Sequence, residues 1–161
     1  PDAVFTIPAV PSLRQNIIDL CSNHRIQVIC GEESLAAVLT DSDAVIATSG
    51  TVTLEAALYG IPGVTCYKTS WFSAIVGSLF VNMRNVILPN VILGREIYPF
   101  FFQLKLSPSN LAHALEAKLR DPQARLQAYQ AAQELRSCLR GGAEGFERQV
   151  ASALGEWLIS N

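Results

Sequence analysis

A short loop of small and hydroxyl-bearing residues, Ser49-Gly50-Thr51, stands between an apolar run and a helical pattern. At a helix N-terminus, backbone N–H groups and a side-chain hydroxyl can hold an anion, and the helix dipole favours negative charge there. Glu55 follows Thr51 by four residues and therefore lies on the same helix face. A carboxylate at that place can accept two hydrogen bonds from a vicinal diol. Together, these residues predict a site for the diphosphate and the ribose of a nucleotide.

The same residues also have a purely structural interpretation. Ser49 or Thr51 would cap the helix, Gly50 would form the turn, and Glu55 would be a solvated helix residue. The Ser-Gly-Thr pattern is too short to distinguish the two interpretations by itself.

A second cluster of polar residues, Asn90, Arg95 and Glu96, lies within the otherwise apolar stretch 89–96. Arginine can bind a diphosphate bidentately, asparagine can position a sugar hydroxyl or carbonyl, and the glutamate can orient the arginine. The alternative is an ordinary turn with an Arg–Glu surface pair, which contributes little to stability.

The elements that must position these residues are short apolar runs alternating with helical spacings. The runs that fit strands are residues 4–7, 26–29, 44–47, 63–66 and 86–88. Several are apolar on both faces, which is typical of parallel strands that are covered on both sides. The alternation of strands and helices predicts an α/β fold with a doubly wound parallel sheet.

From residue 107 onward the pattern is helical. Ser107-Pro108 and Asp121-Pro122 each combine an N-cap side chain with a proline at the first helical position. The second of these helices is expected to run to about Leu139 and to end before Gly141-Gly142. A third helix is expected over residues 143–159, with an apolar stripe along one face.

Composition and charge exclude several classes of protein. Half of the 161 residues are hydrophobic and 16% are charged, which indicates a folded chain and not a disordered one. Twelve Lys and Arg against 14 Asp and Glu argue against a nucleic-acid partner. No apolar run reaches the roughly 18 residues of a membrane span. The first residues show no leader pattern, so we expect a cytoplasmic protein.

The cysteines do not form a recognisable metal or disulfide motif. There are four of them, widely spaced and without a Cys-x-x-Cys pair: Cys21, Cys30, Cys66 and Cys138. This spacing predicts reduced thiols that serve mainly in packing, and no metal site.

Several stretches together resemble one family of enzymes. They are residues 49–55, Tyr67-Lys68 and residues 88–96, followed by Pro99 and Gln103. Their order and spacing resemble the C-terminal half of the lipid-A-disaccharide synthases. The similarity extends from Ile7-Pro8 to the helical tail and is strongest over residues 44–103.

The resemblance implies one half of a GT-B glycosyltransferase, in which two Rossmann-like domains face each other across a cleft and the C-terminal one holds the donor. The reaction would transfer 2,3-diacylglucosamine from its UDP derivative to the 6-hydroxyl of 2,3-diacylglucosamine 1-phosphate and release UDP. Residues 1–106 would be the Rossmann-like UDP-sugar-binding domain without its first strand, and residues 107–161 would be C-terminal helices packed on it. An N-terminal domain with the acceptor site and an Asp base would be a separate, missing part.

The resemblance also implies roles for individual residues. Those expected to bind UDP, with the glutamate on the ribose, are Ser49, Gly50, Thr51 and Glu55. Those expected at the donor side of the active centre are Asn90, Arg95 and Glu96. By looser analogy with related GT-B enzymes, the backbone of Ile29-Cys30-Gly31 would meet the uracil. No metal or cofactor is implied, because such enzymes stabilise the departing diphosphate with helix dipoles and basic side chains.

The chain departs from the family pattern at Pro99-Phe100-Phe101-Phe102, where the family usually has Pro-Glu. Any role of that acidic residue is therefore lost here. Without the N-terminal domain, we expect this chain to bind UDP weakly and to form no product alone.

Two strongly apolar segments, residues 71–81 and Phe100-Phe101-Phe102, are expected near the cleft. Exposed apolar surface would suit substrates with acyl chains and an enzyme peripheral to the inner membrane. The alternative is that both segments are buried in this domain, against the N-terminal domain or in a homodimer.

Two other functions stay open at this level. One is another UDP-sugar transferase of the GT-B class, such as the peptidoglycan N-acetylglucosaminyl transferase, although the block at residues 89–96 favours the lipid A enzyme. The other is a non-catalytic, flavodoxin-like binding or assembly module with a vestigial nucleotide site.

Overall fold

The computed structural model describes residues 3–21, 26–30, 34–69 and 86–140. The chain divides into two compact units, Pro1–Ser42 and Asp43–Asn161. The domain division predicted at residues 106 and 107 stays a prediction.

The first unit contains a pair of parallel strands and two helices. The strands are β1 (Phe5–Ala9) and β2 (Ile26–Cys30), with Phe5 opposite Ile26 and Ala9 opposite Cys30. A 3-10 turn at Pro11–Leu13 leads into α1 (Arg14–Cys21), and α2 (Ser34–Thr40) follows β2. Helix α1 contacts β2 and helix α2 contacts β1, so the helices cover the strand pair.

The second unit is built on a three-stranded parallel sheet with β4 in the middle. Its strands are β3 (Val45–Thr48), β4 (Gly63–Tyr67) and β5 (Phe100–Phe102). Thr48 pairs with Cys66 near the end of β3, and Tyr67 pairs with Phe102 near the end of β5. Because all three strands are parallel, their carboxyl ends meet at one edge of the sheet, where ligands of open α/β sheets bind.

Four helices of the second unit are described: α3 (Thr51–Leu58), α4 (Leu88–Leu93), α5 (Pro108–Arg120) and α6 (Pro122–Leu139). Helix α6 contacts both α3 and α4, and α5 contacts β4. Small residues line the buried face of α6 and allow close approach. At Gly60 a Cβ would lie 3.3 Å from the Cα of Tyr129 on α6, so the contact leaves little room for a side chain.

Tyr98 lies at the centre of the core of this unit and is 1% exposed. Its hydroxyl donates a hydrogen bond of 2.6 Å to the carbonyl of Ile61. Burial raises the pKa of the Tyr98 phenol. Further side chains are fully buried, among them Val64 on β4, Ile87 directly before α4, and Leu135 on α6. The core of this unit therefore includes residues of the sheet and of α6.

The fold class and both helix starts are confirmed. The structure is α/β, with a parallel sheet flanked by helices and a helical C-terminal region, consistent with a Rossmann-like half of a GT-B enzyme. Ser107 Oγ accepts a hydrogen bond from the Asn110 N–H at 3.1 Å, and Asp121 Oδ1 accepts one from the Gln123 N–H at 2.9 Å. The second of these helices ends at Leu139, as predicted.

The strand predicted at residues 86–88 is wrong. Residues 86 and 87 form a bend, and α4 begins at Leu88. Pro89 lies in the first turn of α4, where a helix does not need its N–H, so the local chemistry favours a helix start. The strand that pairs with β4 is the aromatic run Phe100–Phe102, and all three of its side chains are partly buried.

Other predictions concern residues outside the described ranges. They are the third helix at residues 143–159, the apolar segment at residues 71–81, and Gly31 of the expected uracil site. Among the helices that the structure describes, none is long and apolar enough to cross a membrane.

Candidate functional site

The loop between β3 and α3 is shaped by Gly50, which occupies the N-cap position of α3 with φ 143° and ψ −166°. Only glycine adopts this backbone conformation readily. A Cβ at Gly50 would meet no atom within 4 Å, so conformation and not crowding demands the glycine. Among the described residues, the space beside the Gly50 Cα is therefore open, and Gly50 itself is exposed.

The hydroxyls around this loop do not cap α3. Ser49 Oγ donates to the carbonyl of Val86 at 3.2 Å, and Thr53 Oγ1 donates to the carbonyl of Gly50 at 2.7 Å. Thr51 is exposed and is the first residue of the helix. The Thr53 N–H donates to the Gly50 carbonyl at 3.2 Å. Since the N-cap residue offers no side-chain acceptor, the N–H groups of Thr51 and Val52 have no partner among the described residues and are left for solvent or for a ligand.

Glu55 lies one turn into α3 and is partly buried. Its backbone carbonyl accepts a hydrogen bond from the Tyr59 N–H at 3.1 Å, as expected within a helix. Within the described residues its carboxylate forms no hydrogen bond or ion pair. Both carboxylate oxygens of Glu55 are therefore available to a ligand that carries hydroxyl groups.

The ends of β4 and β5 are joined by a side chain to which the sequence pattern assigned no role. Gln103 Nε2 donates to the carbonyl of Thr69 at 2.9 Å, and Gln103 Oε1 accepts from the Thr69 N–H at 3.2 Å. Gln103 is also the one described non-glycine residue with a positive φ, 46°. Gln103 is one of the residues on which the resemblance to the family rests, and this was the sequence signal that could have found it. That resemblance does not indicate what its amide contacts.

Asn90 is placed on α4 and holds the loop that follows that helix. Its Oδ1 accepts from the N–H groups of Ile97 and Tyr98, at 2.9 and 3.0 Å, and its Nδ2 donates to the Tyr98 carbonyl at 2.8 Å. These contacts occupy the amide oxygen and one of the two amide hydrogens. The predicted role of Asn90 at the donor stays a prediction, and the structure adds a role in shaping the loop.

Arg95 follows Gly94, the left-handed residue that ends α4. One guanidinium nitrogen of Arg95, NH2, donates to both carboxylate oxygens of Glu134 on α6, each at 2.8 Å. The carboxylate that orients Arg95 in this structure is thus Glu134 and not the neighbouring Glu96, which is exposed. Because the side chains of Arg95 and Glu134 are 47% and 51% exposed, a polyanion could compete for the arginine.

The residues expected near the uracil belong to the first unit. Ile29 and Cys30 are the last two residues of β2, at the carboxyl end of the strand. This placement agrees with the general rule for ligand sites in parallel sheets, and the predicted contact with uracil stays a prediction.

Comparison with known proteins identifies relatives for almost the whole chain. A family model described as lipid-A-disaccharide synthetase matches residues 1–153. The lipid-A-disaccharide synthase of Anaeromyxobacter dehalogenans (strain 2CP-C) is 35% identical over 153 residues, which are 94% of this chain and 39% of the relative. That of Burkholderia thailandensis is 37% identical over 123 residues, 75% of this chain and 32% of the relative. The chain thus spans about two fifths of the length of its relatives from Anaeromyxobacter.

Proposed function

The chain belongs to the lipid-A-disaccharide synthetase family, and on this premise we propose that it is the donor-binding part of a glycosyltransferase that forms the lipid A disaccharide. The donor is UDP-2,3-diacylglucosamine, the acceptor is 2,3-diacylglucosamine 1-phosphate, and UDP is released. Family membership favours this reaction over that of the peptidoglycan transferase. The observation that carries donor binding is the start of α3 at Gly50, which lacks a side-chain cap, with the Glu55 carboxylate, which has no partner among the described residues, one turn further along.

The two parts of this site suit the two polar parts of UDP. Free N–H groups in the first turn of α3 can hold a diphosphate oxygen, and the positive end of the helix dipole favours the charge. Glu55 can accept hydrogen bonds from both ribose hydroxyls, because an ionised carboxylate is an acceptor only. The same N–H groups stabilise the negative charge that develops on the departing UDP.

The acceptor site and the catalytic base are proposed to lie in the part of the relatives that this chain does not span. The chain covers 39% of the length of its relative from Anaeromyxobacter. A two-domain enzyme places donor and acceptor on opposite sides of a cleft, so one half supplies binding and orientation but not the complete reaction. We therefore expect this chain to bind UDP and to make no disaccharide by itself.

The proposal is tested by titrating the chain with UDP in a calorimeter. Replacing Glu55 by alanine is expected to weaken UDP binding about tenfold, because hydrogen bonds to a charged acceptor are lost. Glu116→Ala is the matched control, since Glu116 is exposed on α5 and pairs with Arg120. Equal UDP affinity of the parent and Glu55→Ala would remove Glu55 from the site. No UDP binding by the parent chain would favour the non-catalytic module.

A further inference from the structure

We propose that Gln103 is a positioning residue whose amide fixes the end of β4, so that the ammonium group of Lys68 faces the phosphates of a nucleoside diphosphate. The inference rests on the proposed donor site and adds two residues to it. It is carried by the paired hydrogen bonds of the Gln103 amide and by the place of Lys68 directly after β4, the strand that lies between β3 and β5.

The Gln103 amide makes two hydrogen bonds to a backbone, as a further pair of strand residues would. Beyond the last backbone pair, Tyr67 with Phe102, the Gln103 side chain donates to the Thr69 carbonyl and accepts from the Thr69 N–H. These contacts also fix which end of the amide is oxygen and which is nitrogen. The amide thereby joins the first residue after β5 to the second residue after β4.

The backbone of Gln103 makes this contact at a conformational cost. Its φ of 46° lies in the left-handed region, which non-glycine residues seldom adopt. Such conformations persist where the surroundings impose them, and they cluster at functional sites. Here the left-handed turn ends β5 and lets the Gln103 side chain reach back to Thr69.

Lys68 directly follows β4, the middle strand of the sheet, at the edge where the carboxyl ends of the strands meet. Lys68 is the first residue after β4 and Gln103 is the first residue after β5, and Thr48, two residues before Gly50, pairs with Cys66, two residues before Lys68. Adjacent strands lie about 4.8 Å apart, so the start of α3 is within reach of a lysine side chain. Lys68 is accordingly proposed to lie beside the diphosphate position.

The ammonium group of Lys68 has no ionic partner in the described part of the protein. Lys68 is exposed, and it forms no hydrogen bond or ion pair there. A lysine on a loose strand end would lose more conformational entropy on binding an anion than one on a fixed backbone. The Gln103 amide lowers that cost because it holds the residue next to Lys68, and this is how it would act on phosphate binding without touching the ligand.

The test compares UDP with uridine, using calorimetry for UDP and ligand-observed NMR for the weaker uridine. Lys68→Gln is expected to weaken UDP binding about three- to fivefold, the effect of an exposed charge contact, and to leave uridine binding unchanged. Lys68→Arg should keep most of the UDP affinity. Lys118→Gln, on α5, is the matched control for loss of one positive charge.

Gln103→Gly keeps the left-handed backbone accessible and deletes the amide. Gln103→Gly should weaken UDP binding about as much as Lys68→Gln does, although it removes no charge. It should leave uridine binding unchanged. In a Lys68→Gln background, Gln103→Gly should cause no further loss, because the glutamine acts through the lysine.

Three results would overturn the inference: full UDP affinity in Lys68→Gln, an undiminished effect of Gln103→Gly in the Lys68→Gln background, or an equal loss of UDP and uridine binding in Gln103→Gly. The last would indicate a purely structural amide. Absence of UDP binding by the parent chain would overturn the proposed function and this inference together. A Glu55→Ala variant with normal UDP affinity would contradict only the ribose contact.

Discussion

Asn90 illustrates how one residue can serve a loop and a predicted ligand site together. Its amide makes three hydrogen bonds to the backbone of Ile97 and Tyr98, all within a partly buried region. An asparagine at this position of α4 thus supplies hydrogen-bond partners to backbone groups of the loop that would otherwise have none. Any contact with a donor would use the remaining amide hydrogen.

Substitution of Asn90 by alanine is expected to lower the free energy of unfolding by about 2 kcal/mol, because backbone groups of Ile97 and Tyr98 lose their partners. Urea denaturation followed by circular dichroism measures the change. Asn110→Ala is the control: its Nδ2 makes a single exposed bond, of 2.9 Å, to the Lys105 carbonyl. Equal destabilisation by the two substitutions would show that the Asn90 contacts do not hold the loop.

At the scale of elements, helix α3 is held at its carboxyl end by helix α6. Arg136 donates a hydrogen bond of 2.7 Å to the carbonyl of Leu58, the last residue of α3. The terminal carbonyls of a helix lack partners within the helix, and a cation there also suits the helix dipole. Because the start of α3 is the proposed phosphate site, α6 supports the site from the opposite end of the helix.

Arg136→Met is expected to lower the free energy of unfolding by about 1 kcal/mol, since it keeps the length of the side chain but removes the donor and its charge. Arg140→Met is the control, because no described partner contacts the Arg140 side chain. Thermal unfolding monitored by circular dichroism compares the two. A melting temperature that falls no further for Arg136→Met than for Arg140→Met would contradict the role in α3.

At the scale of the whole molecule, the unit of residues 43–161 is organised around Tyr98. The Tyr98 side chain is buried, its hydroxyl bonds to the Ile61 carbonyl, and its backbone bonds to Asn90. Tyr98 thus joins the segment before β4, through its hydroxyl, to helix α4, through its backbone. Loss of the contact with Ile61 is expected to weaken the contact with Asn90, and the reverse, because both depend on the position of Tyr98.

The raised pKa of Tyr98 predicts a specific pH dependence. An unfolded tyrosine ionises at about pH 10, whereas the buried phenol stays protonated at that pH. Stability contributed by the neutral phenol is thus complete below about pH 10 and is lost above it, by up to ~1.4 kcal/mol per pH unit from this group. Urea unfolding between pH 8 and pH 11 should show that fall.

Tyr98→Phe should reduce stability by about 1 kcal/mol at pH 8, because the Ile61 carbonyl loses its partner, and should make the alkaline fall shallower. Tyr129→Phe, at an exposed position on α6, should change neither value. An alkaline slope that is the same in Tyr98→Phe and in the parent would mean that other groups cause the fall.

The sequence by itself determined those features that depend on neighbouring residues. Ser107 and Asp121 cap the helices they precede, because an N-cap needs only the next few residues. The first four strands were predicted to within one or two residues, since their apolar runs are local. The order of the polar motifs indicated the family that the comparisons confirmed. The loop at Gly50 was likewise visible as a potential anion site.

Only the tertiary structure decided which distant residues are partners. A short apolar run is compatible with strand or helix, so the sequence did not reveal that Phe100–Phe102, and not residues 86–88, completes the sheet. Arg95 pairs with Glu134, which lies 39 residues further along the chain, and not with its neighbour Glu96. Gln103 likewise bonds to Thr69 across 34 residues. Such contacts depend on how strands and helices are stacked, and local spacing carries no information about that geometry.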